Sequence, residues 1–362
     1  MSIFKFAGPC YFYQPIINIL YIIIMSKNIT RKAWGIVHNE DIYLFKLENS
    51  TGAFVEVTNY GAALVSVVVP DKDSTPGNVI IGFSNLEGYL DDNCYIGSTI
   101  GRYANRVSNA RFILNGNIYQ MEANDGINSN HSGSSGFNSK VFGFEINADE
   151  LVFILHSDDG DGGFPGNLSL RVTYKWSDDN ELLIHYKAVS DQDTFANFTN
   201  HAYFNLSNGD LTIADHRLEI SADNIVAAGD DYIPTGEIIP ATVPFTGDTL
   251  RDAQDDIKSV NSYYILDKDK VAANQFAAKL TDESSGRTLT VHTSNPGIFL
   301  YTGDYLNSKH FNHNNRYCQP FEGLCLECQL YPDSMNKPGF PSAMLPKHHV
   351  YSEFITFKFG LL

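Results

Sequence analysis

From about residue 33 onward the chain reads as short strands cut by turns. Residues 54–58 (Phe-Val-Glu-Val-Thr) alternate in polarity, Asn59-Tyr60-Gly61-Ala62 breaks the run, 64–69 is largely apolar, and Pro70-Asp71-Lys72-Asp73 turns again. Alternation with a period of two marks a strand buried on one face, and a short apolar run between turns fits one buried on both. Stretches 168–174, 182–189, 218–221, 289–293 and 298–301 follow the same rule, separated by Asp- and Gly-rich clusters such as 157–163. A helical period is rare, and residues 272–278 predict one short helix. Nothing repeats at a fixed spacing, and no Gly/Ser linker or charge block divides the chain. The pattern predicts an all-β fold, one large antiparallel domain over 33–362, sandwich-like or barrel-like.

Residues 1–25 stand apart from this pattern. The apolar run 16–25 (Ile-Ile-Asn-Ile-Leu-Tyr-Ile-Ile-Ile-Met) is well short of the roughly 20 residues that cross a bilayer. With Lys5 ahead of it, the run has the length of a secretory signal core, but no small-residue cleavage site follows. Strand patterning begins only after it, so residues 1–25 are expected to be a hydrophobic extension and Met25 the working start. On that reading the protein is cytoplasmic. If the extension acts as a signal the protein is secretory, and no membrane association is expected unless the run is retained.

Composition narrows the partners. A chain of 362 residues, 43% of them hydrophobic, can fill one large core. Its 24 Phe, 20 Tyr and 2 Trp favour strands, and in an open cleft they offer flat faces to sugar rings. The formal charge of −17 repels phosphate backbones, which excludes nucleic acid as an expected partner and fits a neutral small molecule better than an anion. An odd count of five cysteines gives no disulfide framework, and Cys325-x-x-Cys328 lacks the second pair of a zinc site, so both read as strand cysteines. Neither a metal nor a cofactor is expected, and the chain should be a monomer or weak dimer.

Four segments set ionisable residues among apolar ones, where burial is costly unless the groups pair or serve a ligand. Arg102 and Arg106 flank Tyr103-Ala104-Asn105; either arginine could fork onto hydroxyls, although a structural ion pair is the commoner role for one alone. His131 lies in a Gly/Ser-rich turn that could bring it to a ligand or leave it solvated. If 198–206 is extended, Thr199, His201, Tyr203 and Asn205 share one face, a polar wall whose histidine could act as a general acid or be bonded within the sheet. If 323–330 is a strand, Cys325, Glu327 and Gln329 share a face. Desolvation would raise the Glu327 pKa and make it a credible base, whereas the plainer role is to cap the turn at Tyr331-Pro332-Asp333.

Other chemistries lack their signatures. There is no H-E-x-x-H, G-x-S-x-G, Walker loop or Rossmann glycine pattern. His310 with His313, and His348-His349, read as exposed loop histidines, and the acidic run 158–161 as a turn rather than a calcium loop.

Taken together, these segments resemble the aldose 1-epimerases (galactose mutarotases), and the likeness runs in order along nearly the whole chain after residue 34. It includes Thr58-Asn59-Tyr60-Gly61-Ala62, Gly101-Arg102-Tyr103-Ala104-Asn105-Arg106, the His131 turn, Asp161-Gly162-Gly163-Phe164-Pro165-Gly166 and Thr199-Asn200-His201-Ala202-Tyr203-Phe204-Asn205-Leu206. Ile233-Pro234-Thr235-Gly236-Glu237, Tyr301-Thr302-Gly303 and Leu326-Glu327-Cys328-Gln329 complete it. The resemblance implies a large antiparallel β-sandwich of the galactose mutarotase-like type with an open sugar cleft. It further implies Glu327 as base, His201 as acid, and Asn105, Arg106, His131, Tyr203 and Asn261 as residues that hold the sugar. The implied reaction interconverts the α and β anomers of a free aldose by opening and reclosing the ring.

Two positions depart from the family. Asn261-Ser262-Tyr263-Tyr264-Ile265-Leu266 stands where an Asp-His pair is usual, and Phe299 replaces a glutamine common two residues before Tyr-Thr-Gly. Both changes fall on substrate recognition, so altered sugar preference is expected. The alternatives are a hexose-phosphate epimerase, which would need a cationic phosphate grip, and a catalytically weak or silent sugar-binding module.

Overall fold

The computed structural model describes residues 28–207, 212–254 and 256–362. The 16–25 run lies outside the described residues. Three sheets of five, seven and nine strands carry the fold, and their ladders are antiparallel. In the nine-stranded sheet the strands Leu168–Trp176, Glu181–Ser190 and Val350–Leu361 lie side by side. Along Leu168–Trp176 every second residue is buried, so Leu168, Leu170, Val172, Tyr174 and Trp176 enter the core. That alternation is the one read from the sequence, and it fixes register because a slip of one residue would turn the apolar set outward.

The facing layer is the seven-stranded sheet. Its spatial order is Pro234–Pro240, Asn224–Ala228, Asn261–Ile265, Gly297–Tyr301, Leu324–Gln329, Tyr203–Phe204 and Ile80–Ile81. Ile298, Leu300, Leu324, Leu326 and Cys328 point from it into the same core as Ile184, Val291 and Phe357 of the nine-stranded sheet. This face-to-face packing makes the molecule an antiparallel β-sandwich. Each such fully buried aliphatic side chain contributes roughly 1.5–3 kcal/mol relative to exposure. The strand Leu324–Gln329 is buried along its whole length. Its inner face therefore serves the core, and its outer face, carrying Cys325, Glu327 and Gln329, is covered by something other than the opposing sheet.

Two expectations need correction. The helix falls at Lys268–Asn274 rather than 272–278: the Asp267 carboxylate accepts the Asp269 and Lys270 N–H groups and starts it early, and Gln275 at φ 60 ends it. Ala277 and Ala278 are spent on the core, with Ala278–Thr281 forming a strand. His310 and His313 are not freely exposed: His310 Nε2 lies 2.7 Å from Asp91 Oδ2, and His313 Nε2 lies 3.0 Å from the Val65 carbonyl.

Candidate active site

The outer face of the seven-stranded sheet is the floor of a cleft of about 170 Å³. Tyr203 pairs with Cys325 and Phe204 with Leu324, a register that brings the residues before Tyr203 alongside Glu327. However, 198–206 is not one strand. Thr199–Asn200 pairs with Thr99–Ile100, the chain leaves the ladder at His201–Ala202, and Tyr203–Phe204 rejoins the main sheet. Asn200 makes the break: its Oδ1 accepts the Ala202 N–H at 3.1 Å and its Nδ2 donates to the Gly97 carbonyl at 2.8 Å. The His201 backbone is pinned meanwhile by its N–H to Ser98 O and its carbonyl from Gly97 N.

The result sets His201 Nε2 3.7 Å from Glu327 Oε1, with both side chains almost wholly buried. The other ring nitrogen, His201 Nδ1, lies 3.4 Å from Cys325 Sγ. Glu327 Oε2 is buried without a hydrogen-bond partner among the described residues, so this carboxyl caps no turn and is aimed at something the protein does not supply. Burial pushes the Glu327 pKa up to about 8, opposed in part by the Arg106 charge, and pushes His201 down to about 4. The two shifts have one cause: neither group is hydrated enough to carry charge cheaply. Carboxylate and imidazolium are thereby made a stronger base and a stronger acid than their free counterparts.

The cradle around the pair is built by backbone in unusual conformations. Tyr95, Asn105 and His131 all sit at positive φ, of 59°, 72° and 53°. Such strain persists only where the surroundings over-determine it. The Asn105 N–H donates to His131 Nδ1 at 3.1 Å, and burial drives the His131 pKa well below its usual value. The ring is therefore neutral with its proton on Nε2, a fixed neutral donor. Tyr95 packs edge-on to His131 at 4.7 Å, and His131 edge-on to His201 at 5.5 Å.

The two arginines of the Gly101–Arg106 stretch part company. Arg102 is fully buried and donates through Nη1 to Pro165 O and Gly166 O and through Nη2 to Ser157 O, Ser157 Oγ and Asp158 O. It ties the 157–166 turn to the sandwich and does not reach the cleft. Arg106 does: its Nε donates to Asp125 Oδ2 at 2.8 Å, its guanidinium lies 4.8 Å from the Tyr232 ring, and it lines the cleft beside His131. Tyr203 is a wall, its hydroxyl donating to Cys94 O at 3.0 Å. Asn261 and Phe299 both line the cleft, and Asn261 Oδ1 is buried without a partner among the described residues. All seven residues singled out from the sequence thus border one cleft. Sequence reasoning passed over Asn93, Tyr95 and Tyr305, which line it too. The Asp91-Asp92-Asn93 cluster was the available signal, since Asp92 accepts the Cys94 and Ile96 N–H groups and folds that loop.

His131, His201 and Glu327 place one possible ligand atom each within 4.8 Å of one another. The set suits a metal ion poorly. A ligating neutral histidine donates its other N–H outward, whereas His131 Nδ1 accepts a hydrogen bond and keeps its proton on Nε2.

Comparison with known proteins agrees with this geometry. Residues 43–358 match the family model described as aldose 1-epimerase. The galactose mutarotase of Mus musculus is 35% identical over 314 residues, covering 85% of this chain and 91% of that protein. The aldose 1-epimerase of Escherichia coli K12 is 32% identical over 335 residues, covering 87% and 94%. Among solved structures, an aldose epimerase homologue from C. elegans superposes with a TM-score of 0.83 at 28% identity, covering 88% of this chain and 99% of that one. A galactose 1-epimerase from Lactobacillus acidophilus NCFM gives 0.78 at 27%, covering 92% and 98%. This chain belongs to the aldose 1-epimerase family.

Proposed function

We propose that the protein interconverts the α and β anomers of a free aldose, with Glu327 as base and His201 as acid. The observation that carries the reading is the buried pair itself, with a carboxyl oxygen unpartnered and an imidazole 3.7 Å away on the floor of a cleft of sugar dimensions. The Glu327 carboxylate takes the proton of the C1 hydroxyl. The C1–O5 bond breaks as its electron pair receives the proton from His201 Nε2, leaving an open-chain aldehyde. Rotation about C1–C2 presents the other carbonyl face, and reclosure runs both transfers backward. Protons are only exchanged, so the pair ends each cycle as it began. Positioned acid and base groups contribute ~10²–10⁴-fold each, enough for a reaction that already proceeds in water. His131 Nε2–H, Arg106, Asn105 and Asn261 hold the hydroxyls, and Tyr203 walls the site.

The site supports this better than the alternatives. A phosphate grip would need several cations, whereas Arg106 is the one Lys or Arg among the described residues lining the cleft and is already paired with Asp125. A silent binding module has no use for a desolvated acid–base pair. Residues 33–362 act as one working domain on this reading, since a single core draws on all three sheets. Polarimetry on freshly dissolved α-D-glucose and α-D-galactose tests it: the protein should speed the approach to equilibrium rotation for at least one, and failure on these and on other common aldoses rejects it.

A further inference from the structure

The register of the cleft floor orders the atoms of the bound sugar. Glu327 faces Phe299 directly across the ladder between Leu324–Gln329 and Gly297–Tyr301, so both side chains rise from the same face. His201 stands on the opposite side of Glu327, next to the Tyr203–Phe204 strand. At the level of the base the side chains therefore run His201, just before the Tyr203–Phe204 strand, then Glu327 and Phe299 on neighbouring strands about 4.8 Å apart. On the acid–base reading above, on which this inference rests, O5 lies at His201 and the C1 hydroxyl at Glu327. The remaining ring neighbour of C1 is C2, and it must point toward Phe299.

The Phe299 side chain offers it no hydrogen-bonding group. Phe299 packs in an apolar cluster with Tyr263, Tyr331 and Phe340, and the Tyr263 hydroxyl is already donated to the Gln329 carbonyl at 3.0 Å. Asn261 stands one strand further on, opposite Tyr301, roughly 10 Å from the Glu327 strand and nearer C3 and C4. We propose that Phe299 makes the site indifferent to the C2 hydroxyl, so that 2-deoxyaldoses are substrates alongside 2-hydroxyaldoses. The chemistry is asymmetric: a site built to hydrogen-bond a hydroxyl rejects an analogue lacking it by ~10⁴–10⁵-fold, whereas an apolar surface leaves no group unpaired when that hydroxyl is gone.

The test compares kcat/KM for mutarotation of D-glucose and 2-deoxy-D-glucose, each corrected for its uncatalysed rate. The two values should lie within about tenfold, and Phe299→Gln should shift the ratio toward glucose by about tenfold or more. Discrimination against the deoxy sugar by more than that in the wild type, or an unchanged ratio in the variant, overturns the proposal. Calorimetric Kd values for both sugars on Glu327→Gln give a readout independent of turnover. A Kd ratio within tenfold supports the site's indifference to the C2 hydroxyl even if no anomerisation is catalysed, in which case the acid–base reading and the claim of turnover fall together, and a larger ratio overturns the indifference itself.

Discussion

At the residue scale, one proton shared by two buried groups governs the site. Between about pH 4 and about pH 8 the His201–Glu327 pair holds a single titrating proton. Within that window the shifts place the proton on Glu327, and the proposed mechanism draws on the tautomer that carries it on His201; below the window both groups are protonated and above it neither is. The kcat/KM for mutarotation should accordingly be flat from about pH 5 to pH 7, falling on the acid side toward 4 and on the alkaline side beyond 8. An acid limb with its midpoint at the ordinary histidine value near 6.5 would show that His201 is hydrated rather than buried. The Nδ1 contact to Cys325 Sγ gives the histidine its second anchor, and burial holds that thiol protonated, so no charge is added next to the imidazole.

At the scale of elements, what the sequence revealed depended on how local the cause was. The Leu324–Gln329 strand was legible because inward Leu324, Leu326 and Cys328 alternate with outward Cys325, Glu327 and Gln329. The break at His201 was not, because it rests on Asn200 reaching Gly97, a hundred positions away in the chain. Asn261 and Phe299 were visible as departures from the family, but that Phe299 stands beside Glu327 needed the ladder register. Arg102 shows the same limit: two arginines four apart look alike until the fold sends one inward. Its buried guanidinium satisfies four backbone carbonyls and a hydroxyl. Arg102→Ala should therefore cost on the order of 2–4 kcal/mol, by leaving carbonyls unpaired and the 157–166 turn untied. Urea denaturation would measure it, and a loss below about 0.5 kcal/mol would contradict this role.

At the scale of the whole molecule, the His201–Glu327 pair is held at a cost to stability. The unfolded chain ionises Glu327 near 4.5 and the folded chain only near 8, so across that range the unfolded state binds fewer protons and stability falls as pH rises. His201 works oppositely: its folded value near 4 lies below the unfolded 6.5, so stability falls as pH drops through that interval. Glu327→Gln should remove the first penalty, raising the melting temperature at pH 8.5 while changing it little at pH 4.5. An equal shift at both pH values would assign the effect to packing instead. The sandwich thus excludes water from two groups that would be more stable wet, and the proposed mechanism uses that exclusion. The most direct test is polarimetry of α-D-glucose or α-D-galactose with wild type and Glu327→Gln side by side at pH 7. The wild type should reach equilibrium rotation well ahead of buffer and the folded variant no faster than buffer; a variant as fast as the wild type would contradict the account.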